Sequence, residues 1–129
     1  MPKVLIASED PRARTWVRFA LGPGWGIAEA SDGNEARRMV EHESPDLVIA
    51  DETMEHYGAF GMSRDMKQVS KPPAIIVLLE RAQDDWLARW AGVDRWFLRP
   101  VDPFDLADAA RELTTSPVAV VNAVEGGTE

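Results

Sequence analysis

Pro45-Asp46-Leu47-Val48-Ile49-Ala50-Asp51 opens on a turn-forming pair, runs through four apolar residues and ends on a carboxylate. The run is too short for a helix, and an unbroken apolar segment of this kind reads as a strand covered on both faces. The pattern recurs to either side. Lys3–Ala7 is a second such run, residues 25–30 hold Ile27 and Ala28, Ala74–Leu79 follows Pro72-Pro73, and Arg95–Leu98 is the last. Between the runs the apolar spacing changes to that of helices. Ala13, Trp16, Val17, Ala20 and Leu21 follow Asp10-Pro11, a capping residue and a proline suited to the first helical position. Residues 35–42 place Ala36, Met39 and Val40 on one face, and residues 60–69 do so with Met62, Met66 and Val69. Residues 84–91 form a short helix closed by Gly92. Phe104, Leu106, Ala107, Ala110 and Leu113 form the final stripe, behind Asp102-Pro103. Alternation of this kind calls for an α/β fold, a parallel sheet with helices on both faces.

The chain's 129 residues suffice for one domain. Apolar residues at 45% and charged ones at 28% exclude wholesale disorder. With 14 basic against 22 acidic residues the net charge is −8, and no basic stripe appears, which argues against direct binding to nucleic acid. The absence of cysteine excludes disulfides and thiolate metal sites and sets a cytoplasmic location as the expectation. His42 and His56, the two imidazoles, are expected at the surface. Ala74–Leu79 is the longest apolar run, far short of the roughly 20 residues of a membrane span. The apolar stretch near the N-terminus is likewise too short for a secretory signal. Residues 1–113 are expected to form the domain, and residues 114–129, small and glycine-rich, a flexible tail or linker.

Sheets of this class bind ligands at the carboxyl ends of their strands. The polar residues there are Ser8, Glu9 and Asp10 after the first strand, Asp51 after the third, Glu80 after the fourth and Arg99 after the fifth. By position alone Asp51 is a metal-assisted nucleophile or a solvated turn residue. Thr53 stands where a dehalogenase-type phosphatase needs a second Asp, and neither glycine-rich phosphate-binding pattern occurs.

Three stretches carry a resemblance. Residues 29–36, Glu-Ala-Ser-Asp-Gly-Asn-Glu-Ala, followed by residues 44–54, Ser-Pro-Asp-Leu-Val-Ile-Ala-Asp-Glu-Thr-Met, resemble the receiver domain of bacterial two-component response regulators. Residues 91–100, Ala-Gly-Val-Asp-Arg-Trp-Phe-Leu-Arg-Pro, resemble that family's closing motif. The resemblance implies a flavodoxin-like, doubly wound sheet of five parallel strands in the order 2-1-3-4-5, and a cis peptide at Arg99-Pro100. It implies a role in phosphorelay signal transduction, with Asp51 accepting a phosphoryl group from a histidine kinase or phosphotransfer protein. Mg²⁺ would be held by Glu9, Asp51 and the Thr53 carbonyl. No enzymatic activity is implied beyond self-phosphorylation and dephosphorylation of Asp51. The family's usual partner surface, formed by the fourth helix, fifth strand and fifth helix, would serve a homodimer or an effector protein.

The departures point the other way. Ser8 replaces the first acid of the family's pair, Arg99 its lysine, and Glu55 the proline after Met54. No Ser or Thr lies between Ser70 and Thr114, so the family's switch hydroxyl is missing. Fewer acids weaken Mg²⁺ binding or abolish it. Arg99 is expected to reach Asp51 or Glu9 and neutralise it permanently. The alternative function is therefore a pseudo-receiver, a protein-interaction module that signals without phosphorylation. Trp96 stands at the family's switch aromatic. Trp86 and Trp90, four residues apart on a short helix, either cover the sheet edge or offer apolar surface to a partner.

Overall fold

The computed structural model describes residues 1–54 and 57–115. Five strands form one parallel sheet: β1 (Lys3–Ala7), β2 (Gly26–Ala30), β3 (Leu47–Asp51), β4 (Ala74–Leu79) and β5 (Arg95–Leu98). Their order is β2-β1-β3-β4-β5, as expected. The helices are α1 (Pro11–Leu21), α2 (Gly33–Glu43), α3 (Ala59–Met66), α4 (Asp85–Trp90) and α5 (Pro103–Thr114).

Alternation along the strands divides the core in two. Leu5, Val48, Ile75 and Val77 point to one side, where Ala36 and Val40 of α2, Met62 and Met66 of α3 and Ala88 of α4 cover them. Val4, Ile6, Ile49, Ile76 and Leu78 point to the other, against Val17 and Leu21 of α1 and Leu106 and Ala110 of α5. Both faces are buried, so β1, β3 and β4 read as unbroken apolar runs. Each large side chain fully buried this way contributes about 1.5–3 kcal/mol.

The ends of the helices follow their capping chemistry. Asp10 accepts the Arg12 N–H at 2.9 Å, and Asp102 accepts that of Phe104 at 2.7 Å, each with proline next in line. The start of α2 comes two residues earlier than the apolar spacing indicated. Asp32 caps the Glu35 N–H at 2.8 Å, and Glu35 reaches back to the Ser31 N–H at 2.7 Å, so the turn cluster is itself the helix start. Conversely, α3 stops at Met66, short of Val69; Lys67 keeps helical angles as the cap, and its Nζ bonds Asp94 at 2.7 Å and the Pro73 carbonyl at 2.8 Å. A 3₁₀ turn over Ala82–Asp84 leads into α4, and Gly92, at φ +79°, closes the segment. Thr114, assigned to the tail by the sequence, belongs to α5 and returns its hydroxyl to the Ala110 carbonyl at 2.8 Å. The expectations for residues 116–129 and for His56 lie outside the described residues. No helix among the described residues is long and apolar enough to cross a membrane.

Candidate functional site

Parallel β1, β3, β4 and β5 end at one rim of the sheet and bring Ser8, Asp51, Glu80 and Arg99 together there. Asp51 is the last residue of β3, a central strand, and its side chain is 16% exposed. Arg99 Nη2 pairs with Asp51 Oδ1, and the Ser8 hydroxyl donates to Asp51 Oδ2. Both carboxylate oxygens therefore have a partner. Arg99 Nε also lies 3.4 Å from Glu80 Oε2, so one guanidinium spans two acids. A cavity of about 260 Å³ opens beside them, lined by Asp10, Ala13, Asp51, Thr53, Glu80 and Arg99. Burial pulls the Arg99 pKa below its ordinary value, while the Asp10 charge acts in the opposite sense.

Arg99 reaches Asp51, one of the two acids it was expected to reach, and the Arg99–Pro100 peptide is cis as expected. Glu9 is not brought into the cluster. It is exposed and absent from the cavity wall, because the chain turns at Ser8 and Asp10 and directs those two neighbours inward. Asp10 serves twice, as helix cap and as cavity wall. Hydrogen bonds from Arg12 hold its carboxyl below the usual range.

Two acids beyond Asp51 form a pair that the sequence concealed. Glu52 accepts the Glu80 N–H at 2.7 Å and meets Asp84, which is buried at the start of α4 with Arg81 at 3.1 Å. Burial, together with the Asp84 carboxylate, pushes the Glu52 pKa up. The hydrogen bond from Glu52, then Arg81, pushes that of Asp84 down. No sequence signal links residues so far apart in the chain. Raised Glu52 contributes stability that is present below the ordinary Glu pKa of about 4.3 and is lost as pH rises through its folded value. Lowered Asp84 contributes above the ordinary Asp value and loses its contribution on acidification. Glu52→Gln keeps an acceptor for Glu80 and a permanent donor for Asp84. Thermal unfolding should show a higher Tm than the parent near neutral pH and no gain near pH ~4.5. An equal gain at both would contradict the raised Glu52 pKa.

Trp86 and Trp90 are 61% and 54% exposed, so they do not cover the sheet edge. Arg64 of α3 stacks over Trp90 at 4.3 Å, and Arg89 lies 5.6 Å from the ring of half-buried Trp96. Leu98 and Phe104 are exposed nearby in sequence, at the end of β5 and the start of α5.

The sheet order agrees with the comparisons to known proteins. The response regulator receiver domain profile matches residues 4–111. The chain belongs to the response regulator receiver family. An uncharacterized response regulatory protein of Mycobacterium tuberculosis is 28% identical over 123 residues, covering 89% of this chain and 92% of that one. A 14.6 kDa uncharacterized protein of Leptolyngbya boryana is 30% identical over 108 residues, covering 80% and 82%. Among solved structures, a receiver domain protein from Clostridium thermocellum superposes with a TM-score of 0.80 at 24% identity, covering 88% and 94%. The chemotaxis response regulator CheY4 of Vibrio cholerae gives 0.79 at 22%, covering 88% and 98%.

Receiver domains generally bind Mg²⁺ for phosphorylation, and the side chains here do not fit that ion as they stand. Asp51 has both oxygens engaged, one of them by a cation, and Glu9 is exposed and off the cavity wall. Among the described residues no group of three or more carboxylates or imidazoles is placed to hold a metal. A hard divalent ion needs oxygen ligands converging on one point, and Arg99 neutralises the acid around which they would converge.

Proposed function

We propose that this domain serves phosphorelay signalling by accepting a phosphoryl group on Asp51 from a histidine kinase or phosphotransfer protein. The observation that supports this most is the placement of Asp51, at the end of a central strand, on a cavity wall, with a hydroxyl and a guanidinium on its oxygens. In the transfer a carboxylate oxygen of Asp51 attacks phosphorus, the phosphorus–nitrogen bond of the donor breaks and the imidazole leaves with a proton. Asp51 must first exchange Arg99 for the phosphoryl group, and Arg99 then neutralises the incoming oxygens. The face of α4, β5 and α5, with Trp86, Trp90 and Trp96, is the partner surface for an effector protein or a second copy.

A second reading has its own support. The Arg99–Asp51 pair gives the acid a permanent counter-ion, and no hydroxyl follows β4 to answer a phosphoryl group. A pseudo-receiver would keep the fold and its partner face and dispense with transfer. Incubation with a small-molecule phosphodonor, with and without Mg²⁺, separates the two by mass spectrometry. An added phosphoryl mass that disappears in Asp51→Asn is the expected result. No added mass under either condition would transfer the assignment to the pseudo-receiver.

A further inference from the structure

Arg14 makes contacts that neither capping nor core packing requires. Its side chain is only 17% exposed, and its Nη1 donates to the main-chain carbonyl of Ser8. Its Nε is held by Glu29 Oε1 at 2.8 Å, while Glu29 Oε2 takes Arg18 Nη2 at 2.6 Å. Glu29 lies on β2, so α1 and β2 together aim one guanidinium at the residue that touches Asp51. Ser8 is then fixed at every polar atom. Its N–H goes to the Ala30 carbonyl at 3.1 Å, its carbonyl takes Arg14, and its Oγ receives the Asp10 N–H at 3.1 Å. With an N–H already on the oxygen, the hydroxyl proton is free to turn towards Asp51 Oδ2, where the hydrogen bond is found.

We propose that Arg14, braced by Glu29, is a positioning residue that sets the Ser8 hydroxyl on Asp51. The proposal rests on the reading of Asp51 as the signalling acid. A serine oxygen carries no charge and attracts nothing over distance, so its usefulness depends on where its proton points. A hydrogen bond there fixes the orientation of the carboxylate that attacks phosphorus. Loosening the Ser8 peptide should let the hydroxyl turn to solvent or to the Asp10 carbonyl, 3.5 Å away. Asp51 would keep Arg99 and lose its second partner.

The test follows the Asp51 carboxyl carbon by NMR at a single neutral pH in the isotopically labelled full chain, which needs no phosphorylation. Ser8→Ala, which removes the hydroxyl, should shift that resonance and sets the full effect. Arg14→Met should shift it most of the way to the Ser8→Ala position, and Arg14→Lys, which keeps a donor and the charge, should restore most of the parent position. In a Ser8→Ala background Arg14→Met should add little, because its effect passes through the hydroxyl. A resonance unmoved by Arg14→Met, or a shift of the same size in the Ser8→Ala background, would overturn the proposal. The second outcome would make Arg14 a distant charge only. Labelling kinetics supply the separate arm: a parent chain that takes no phosphoryl group defeats the reading of Asp51, while the resonance still decides the brace.

Discussion

Arg99→Ala is expected to lower stability by about 2–3 kcal/mol at low ionic strength, with millimolar Mg²⁺ restoring part of the loss. The guanidinium now holds Asp51 and approaches Glu80 at 3.4 Å, and Asp10 lines the same cavity. Its removal leaves three acids around one opening, and Asp51 among them is largely shielded from water. Truncating one partner of such a pair costs more than the pair contributes, because the remaining charge is desolvated and uncompensated. Exposed Glu80 can turn outward, which places the effect below that of a fully buried pair. Arg99→Lys should retain most of the parent's stability, since it keeps the charge and loses the fork that spans both acids. Mg²⁺ is predicted to act on Arg99→Ala and hardly at all on the parent, because only the variant offers Asp51 without a resident cation. Urea denaturation of the three proteins with and without MgCl₂ measures this. Equal stabilisation of parent and variant by Mg²⁺ would show that Arg99 does not occupy the ion's place.

Most of the fold was legible because burial on both faces leaves a plain mark on strands. Val48, Ile49, Ile75 and Ile76 have no solvent-facing neighbours to break their runs, so β3 and β4 could be bounded almost to the residue. Helix ends were readable where proline followed a capping Asp, at Asp10 and Asp102. They were misplaced where the cap lay inside a polar cluster, at Asp32, or where the helix ended before its apolar pattern did, at Met66. The site was legible in its parts and less so in its wiring. Ser8, Asp51 and Arg99 stand at strand ends that any parallel sheet brings to one rim. Which acid turns inward is set by the turn after β1, and residue type could not say that Asp10 faces the cavity while Glu9 faces solvent. Glu80, seen as a polar residue in the place of a hydroxyl, proved to be a second partner for Arg99. The Glu52–Asp84 and Arg14–Ser8 contacts join elements that the sequence treats as independent.

The turn residue Gly33 gives the other large effect. It is buried as the first residue of α2, and its φ lies outside the left-handed region, so backbone freedom does not explain it. Close approach does. A Cβ built there would lie 2.9 Å from Tyr57 Cβ and closer still to the Tyr57 carbonyl oxygen, and a carbonyl cannot rotate away as a side-chain tip can. Either α2 or the segment at Tyr57 must shift. Ala is the better helix former by up to about 1 kcal/mol, an advantage that shrinks at the first position. Overpacking against main chain costs about 1–3 kcal/mol and wins. Gly33→Ala is therefore expected to destabilise the domain by about 2 kcal/mol. Gly61 offers the contrast, because a Cβ there meets only the edge of the Tyr57 ring at 3.5 Å, an ordinary contact inside α3. The same substitution at Gly61 should stabilise by several tenths of a kcal/mol up to about 1. Because Tyr57 lies on the connection from Asp51 to α3, Gly33→Ala should also slow phosphoryl labelling, whereas Gly61→Ala should leave it close to the parent rate. Denaturation curves giving both substitutions the same sign would mean that the close approach to Tyr57 does not govern the choice of glycine at position 33.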